Sequence, residues 1–304
     1  MGFLKLLENV RFPAMTSFMS VLTYLGDELC FMAIALLFFW CINKRIGYFI
    51  FSVGLTGSII NQFLKLHFRV PRPWVLDPSF TIVEAAREGA SGYSFPSGHT
   101  QSAVGTFGAV FASRREKWLR WLCLALIIIV PFSRMYLGVH TPLDVCVSFV
   151  IALILIAVIY PVFKREEGWQ KGTVYVLLAM ILMSALYMLF ILFNNFPQDI
   201  DPHNLASGTK NAYTFMGTLL GLLTVYIADR KYINFSTEAG TLAQIIKYAV
   251  GLALVVAVKS LLKAPLNAIF DGGQMANLIR YFLMVVFAGL VWPLSFPYIA
   301  KIRK

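Results

Sequence analysis

Acidic residues are scarce in this chain: Asp and Glu together number 15 of 304 residues, and charged residues of both signs make up only 13%. So little charge cannot coat the water-facing surface of a globule of this length, which excludes an ordinary soluble protein. Cysteine is also rare. Cys30, Cys41, Cys123 and Cys146 lie in apolar stretches without paired short spacings, so they read as small packing residues and not as a metal or disulfide framework. The shortage of acid leaves a formal net charge of +11. Yet Lys and Arg fall in short clusters between apolar segments, not along one face, which marks membrane topology and excludes a nucleic-acid-binding surface.

What the chain has in abundance is apolar sequence, at 59% of all residues. Stretches long enough to span a bilayer, about 17 to 25 residues, recur along its whole length. Spans are expected near 29–43, 47–66, 97–113, 118–136, 142–163, 173–194, 212–228, 243–262 and 276–299. The fold class is therefore all-α, a polytopic transmembrane bundle of about nine spans. Residues 1–28 form a separate segment: Phe12, Met15, Phe18, Met19 and Leu22 recur at helical spacing, as in a helix lying along the interface. Lys5, Arg11, Asp27 and Glu28 interrupt its short apolar runs, unlike a cleavable signal peptide, so the first span is expected to serve as an uncleaved anchor.

The clusters Lys44-Arg45, Arg114-Arg115-Lys117-Arg120, Lys164-Arg165-Lys171, Arg230-Lys231 and Lys301-Arg303-Lys304 fall on alternate connections. By the positive-inside rule that side is cytoplasmic. Residues 67–96 and the turn 137–141 then share the opposite, non-cytoplasmic face, where Lys65, Arg72 and Arg134 break the charge rule, as basic residues kept for binding do.

Three segments on that face carry chemistry. In the first, Lys65 ends the second span and Arg72 stands between Pro71 and Pro73, whose fixed φ and missing donors stop the helix and stiffen the presentation of the guanidinium. The second, Pro96-Ser97-Gly98-His99, precedes a helix rich in small residues. Ser97 is its expected N-cap, and the amides of Gly98 and His99 gather at a helix start suited to phosphate oxygens. The third runs from Ser133-Arg134 through His140 to Asp144, with Thr141 at N-cap, Pro142 at N1 and Asp144 at N3 of the next helix. Asp144 in that position either caps the helix or supports His140.

Together the segments read K-x6-RP, PSGH and SR-x5-H-x3-D, and the sequence resembles the type 2 phosphatidic acid phosphatase superfamily, matching all three signatures without gap or substitution. The resemblance implies a metal-independent, cofactor-free phosphatase with a phosphohistidine intermediate. In it His140 is the nucleophile, Asp144 orients it, and His99 protonates the leaving oxygen. Lys65, Arg72, Ser97, Gly98 and Arg134 bind phosphate. Physical chemistry agrees: a carboxylate-held imidazole presents one defined nitrogen, and phosphoryl transfer depends mainly on positioning and charge stabilisation. The remaining histidines, His67 and His203, have no ligand-like spacing.

By that resemblance a six-helix phosphatase core occupies 29–194, and 195–304 adds further C-terminal transmembrane helices. The implied partner is a phosphorylated lipid (phosphatidate, prenyl or sphingoid-base phosphate, or a pyrophosphate) whose tail stays in the bilayer. Two alternatives share the motifs: a soluble sugar phosphate substrate, as for glucose-6-phosphatase, and the vanadate-dependent haloperoxidases. Four weaker features are read blandly. The connection 74–96 is read as a solvated loop over the alternative of a lid or headgroup contact at the site, Lys259 and Lys263 as snorkelling over meeting an anionic headgroup, and Asp199, Asp201 and His203 as a polar loop over a metal cluster. Gly217 and Gly221 allow close helix packing within the chain or between chains.

Overall fold

The computed structural model describes residues 1–165 and 167–302; Arg303 and Lys304 of the C-terminal basic cluster lie outside the described residues. Every regular element among the described residues is helical. In chain order these are α1 (Gly2–Asn9), α2 (Pro13–Leu22), α3 (Glu28–Leu37), α4 (Lys44–Phe68), α5 (Pro73–Leu76), α6 (Gly98–Ser113), α7 (Lys117–Tyr136) and α8 (Pro142–Lys164). There follow α9 (Trp169–Phe193), α10 (Pro202–Ala228), α11 (Thr241–Leu261), α12 (Lys263–Ile269), α13 (Gln274–Val286) and the short α14 (Phe296–Ile299).

Seven helical stretches are long and apolar enough to cross a membrane, or up to eight if a bent pair counts as one span, so the chain is an integral, multi-pass membrane protein. The expected count of about nine is not reached, for two reasons. α6 has 16 residues, about 24 Å at 1.5 Å per residue, against about 30 Å of hydrocarbon. And α3 attains spanning length only together with the preceding helix, Pro13–Gly26, across a bend of 55°.

The chain divides into two compact units. The first comprises residues 1–32, 49–164 and 197–207. Its centre is α6, which buries Ala103, Val104, Gly105, Gly108 and Ala109. The small residues are needed there: a β-carbon at Gly108 would stand 2.4 Å from Ile156 of α8, and one at Gly105 3.3 Å from Val53 of α4. Around it α8 turns Val150, Leu153, Ile154 and Val158 outward, an apolar face suited to lipid. In the same unit α1 buries Leu4 and Leu7 and exposes Phe3 and Leu6. Lys5 pairs with Asp77 at 2.7 Å, and Arg11 donates to the carbonyls of Tyr136 (2.9 Å) and Thr81 (2.7 Å).

Residues 74–96 are built structure rather than a solvated loop. Ala86 and Ala90 pack with Met19, Tyr136, Leu137 and Val139 in one apolar cluster. The Val83 amide donates to the Leu137 carbonyl at 3.1 Å. Asp201 accepts from the amides of His203 (2.8 Å) and Asn204 (3.0 Å), so that acidic stretch caps the start of α10.

The second unit comprises 33–48, 165–196 and 208–304. Lys44 of the first basic cluster is committed there to Asp229 at 2.6 Å. The Gly217/Gly221 pair serves packing within the chain, since a β-carbon at Gly217 would stand 2.0 Å from the Leu278 carbonyl oxygen of α13. Alanine is favoured over glycine inside a helix by about 1 kcal/mol, but overpacking costs about 1–3 kcal/mol. The neighbour here is backbone and cannot swing aside, so the clash wins. Gly217→Ala is expected to lower the thermal midpoint in detergent; an unchanged or raised midpoint would show that this close approach does not hold α10 against α13.

Candidate active site

Every residue singled out in the three motif segments lies in the first unit. Lys65, in the last turn of α4, and Arg72, just before α5, are only 8% and 6% exposed. Lys65 Nζ donates to the Tyr93 carbonyl. Arg72 uses its whole fork: Nε donates to Gly92 O (2.9 Å), Nη2 to Ser91 O (2.8 Å) and Nη1 to Val139 O (2.9 Å). The same Nη1 lies 3.0 Å from Nε2 of His140. α4 ends at Phe68, where Arg69 turns left-handed at φ 51, and Pro73 starts α5, so the guanidinium between them is held against the loop before α6 and the turn after α7.

Ser97 caps α6 as its position requires, its Oγ accepting from the Thr100 amide at 3.4 Å and the Thr100 hydroxyl at 3.0 Å. Its own amide donates to the Asp144 carbonyl at 3.1 Å, which ties the α6 start to α8. Gly98 and His99 open the helix ahead of the first intrahelical bond, from Gln101 N to Ser97 O at 3.0 Å. The His99 ring faces the loop at Gly89, where a β-carbon would stand 3.9 Å from Cε1 and Nε2.

Arg134 ends α7, and Gly138, at φ 81, turns the chain back toward α8. There the Thr141 amide donates to Asp144 Oδ2 at 2.8 Å and the Asp144 amide to Thr141 Oγ1 at 3.3 Å, a reciprocal capping box. The same Oδ2 accepts from the Ser94 hydroxyl at 2.6 Å and stands 3.5 Å from His140 Nδ1. Asp144 therefore caps the helix and faces the imidazole at once, so the two readings of it are not exclusive. With a carboxylate opposite Nδ1 and a guanidinium donor opposite Nε2, the favoured tautomer carries its proton on Nδ1 and its lone pair on Nε2. Burial, reinforced by the charges of Arg72, Arg134 and Lys65, holds His140 well below the usual histidine pKa, so the ring is neutral.

Buried polar atoms without partners surround this chain of contacts. Arg134 donates from Nη1 to Thr23 Oγ1 at 2.6 Å, while its Nε and Nη2 have no partner. Both amide atoms of Asn61 and of Gln101 are likewise unpartnered. Asn61 lies one turn before Lys65 on α4, and its Oδ1 is 4.0 Å from where a β-carbon of Gly98 would stand. Native proteins rarely leave so many buried donors unused, and such a group calls for a ligand or ordered water. Cationic donors, a helix start and a neutral imidazole whose Nε2 lone pair faces the Arg72 guanidinium suit an anionic electrophile.

Thr23, Ser94, Asn61 and Gln101 are the residues that sequence reasoning missed. Ser94 stands three residues before Ser97 and was open to suspicion on that ground; Thr23, 111 residues from Arg134, carried no signal. Ser133 packs, its hydroxyl bonded back to Val130 O at 2.7 Å. Among the described residues no group of three or more His, Cys, Asp or Glu is arranged to hold a metal.

Residues 45–167 match the family model described as PAP2 superfamily, and residues 213–300 match the one described as PAP2 superfamily phosphatase, transmembrane extension. The chain is 32% identical over 102 residues to undecaprenyl-diphosphatase BcrC of Bacillus subtilis, covering 34% of this chain and 50% of that protein. It is 27% identical over 165 residues to sphingosine-1-phosphate phosphatase 1 of Mus musculus, covering 52% of this chain and 37% of that protein. It is 30% identical over 152 residues to lipid A 4'-phosphatase of Porphyromonas gingivalis, covering 46% and 63% respectively. The chain thus spans less than two thirds of each of these relatives. No solved structure matches.

Proposed function

Because the chain belongs to the PAP2 superfamily, we propose that it is an integral membrane phosphatase that hydrolyses a lipid phosphate or diphosphate through a phosphohistidine on His140. The observation that carries this reading is the buried series Arg72–His140–Asp144, in which Nε2 of a neutral ring is held at 3.0 Å from the Arg72 guanidinium. Substrate phosphate takes the place beside Nε2, and its oxygens are met by Lys65, Arg72, Arg134 and the Gly98 and His99 amides. The Nε2 lone pair attacks phosphorus, the bond from phosphorus to the lipid oxygen breaks, and His99 gives that oxygen a proton; burial and the charges of Arg134, Arg72 and Lys65 hold the His99 pKa down to about 2, so it takes up that proton with the dianionic phosphate, whose charge offsets those cations. Positive charge gained by His140 is stabilised by Asp144. Water then gives a proton to His99 and attacks phosphorus, the P–N bond breaks, and inorganic phosphate leaves. The scheme uses no metal.

Three relatives named for different phosphorylated lipids support a lipid substrate, since what they share is a phosphoryl group on an apolar anchor. The basic cluster Arg114-Arg115-Lys117-Arg120, at the ends of α6 and α7 opposite those that carry His99 and Arg134, supports a site on the non-cytoplasmic face. The test is phosphate release by detergent-purified protein from phosphatidate, a polyprenyl diphosphate, sphingosine 1-phosphate and glucose 6-phosphate. One lipid is expected to exceed the sugar phosphate in kcat/KM by at least on the order of tenfold. Equal or better turnover of glucose 6-phosphate would overturn the lipid assignment.

A further inference from the structure

A residue outside the 45–167 family match, and outside all three motif segments, reaches the phosphate site. Thr23 opens the 3₁₀ turn Thr23–Gly26 and is 5% exposed, and its Oγ1 accepts from Nη1 of Arg134 at 2.6 Å. That is the one hydrogen bond the Arg134 guanidinium makes among the described residues; its Nε and Nη2 are buried without a partner. The same turn also abuts the other half of the site. A β-carbon at Gly26 would stand 2.8 Å from the His99 carbonyl oxygen and 2.9 Å from Cγ1 of Val130, one turn before Arg134 on α7. Thr23–Gly26 therefore sits in the notch between the start of α6 and the end of α7.

The two nitrogens left without partners belong together. Nε and Nη2 form one edge of the guanidinium, the edge that meets two oxygens side by side, and Nη1 points away from it. An acceptor on Nη1 fixes the rotation of the planar group, so that edge is presented in one direction. Behind burial, the Arg134 charge is the largest influence lowering the pKa of His99, and after burial and Arg72 it lowers that of His140, so the guanidinium lies within electrostatic reach of both imidazoles.

A plain tether is an inadequate account of Thr23. The N-terminal segment is already fastened by Lys5 to Asp77 at 2.7 Å, by Arg11 to the Tyr136 and Thr81 carbonyls, and by Met19 in the apolar cluster with Leu137. The segment does not need the Thr23 hydroxyl, whereas the Arg134 guanidinium has no other hydrogen bond. We propose that Thr23 is a positioning residue, holding Nη1 of Arg134 so that the Nε–Nη2 edge faces the nonbridging oxygens of the phosphoryl group. The role rests on the assignment of Arg134 to those oxygens in the proposed mechanism. It makes the N-terminal turn part of the phosphate site.

The test is vanadate binding and phosphate release by the detergent-purified full chain carrying Thr23→Val, which exchanges the hydroxyl for a methyl, or Thr23→Ser, which keeps it. Thr23→Val is expected to weaken vanadate binding and to lower kcat/KM, each by on the order of tenfold, while melting close to wild type. Thr23→Ser should stay within about threefold of wild type on both measures. In an Arg134→Gln background Thr23→Val should change vanadate affinity by less than about twofold, because its effect runs through that guanidinium. Unchanged vanadate affinity in Thr23→Val, an equal loss in Thr23→Ser, or an undiminished loss in the Arg134→Gln background would each overturn the positioning role. A lower melting temperature with vanadate affinity intact would make Thr23 a tether and overturn it as well. If Thr23→Val does not fold, Thr23→Ala decides on the same measures. Vanadate affinity is read without turnover, so a wild type that binds vanadate and hydrolyses no phosphate ester would overturn the phosphatase reading alone, and the Thr23 comparison would still stand or fall on its own result.

Discussion

Replacing His140 with alanine is expected to reduce phosphate release by on the order of 10⁴-fold or more, because a nucleophile acting within a unit takes nearly the whole effect of that unit with it. The ring is 2% exposed, so the variant also creates a cavity, and activity alone does not separate chemistry from collapse. Arg72 separates them: its bonds to Ser91, Gly92 and Val139 do not involve the imidazole and should keep the cationic pocket in place. The variant is therefore expected to melt within a few degrees of wild type and still bind vanadate while releasing no phosphate. Quenched wild type should carry acid-labile phosphate on histidine, and His140→Ala none. Turnover above about a tenth of wild type would leave less than about 1.4 kcal/mol of barrier to this residue and rule it out as nucleophile.

The parts of the site legible in the sequence are those whose physics is local. Ser97 at its cap and the Thr141–Asp144 capping box follow from side chains reaching amides three residues away, so spacing alone discloses them. The break in helix at Arg72 is legible for the same reason. What escaped is contact across the fold. Ser94 reaches Asp144 across 50 residues and Thr23 reaches Arg134 across 111, and no periodicity encodes either. The span count of about nine is not matched at α6 and α3. α6 starts at Gly98 with Ser97 as its cap, beside Asn61 and Asp144, and ends at Ser113, short of a bilayer, while α3 follows a 55° bend. The small-residue pair Gly217 and Gly221 was legible as a packing device, but the choice between α13 and a second chain needed coordinates.

Arg72→Lys keeps the charge and loses the fork, so it asks whether the pocket needs a cation or a planar one. The guanidinium meets Gly92, Ser91 and Val139 carbonyls from Nε, Nη2 and Nη1 at 2.8–2.9 Å, and Nη1 also meets His140. A single ammonium cannot reach all three carbonyls at once, because its donors radiate from one atom. At least one buried carbonyl loses its donor, at about 1–3 kcal/mol, and the loop before α6 loosens from the turn that carries His140. Phosphate suffers as well, since a point charge offers no bidentate contact. The expected result is a fall in kcat/KM on the order of 10³-fold, a smaller drop in melting temperature, and faster proteolysis between residues 77 and 93. Two effects distinguish this from lost charge alone: vanadate should bind more weakly even though the formal charge is unchanged, and Arg72→Gln should be only modestly worse than Arg72→Lys. If Arg72→Lys retains activity within about threefold of wild type, the fork is dispensable. The three carbonyl contacts would then be packing rather than the frame that aims His140 at phosphorus.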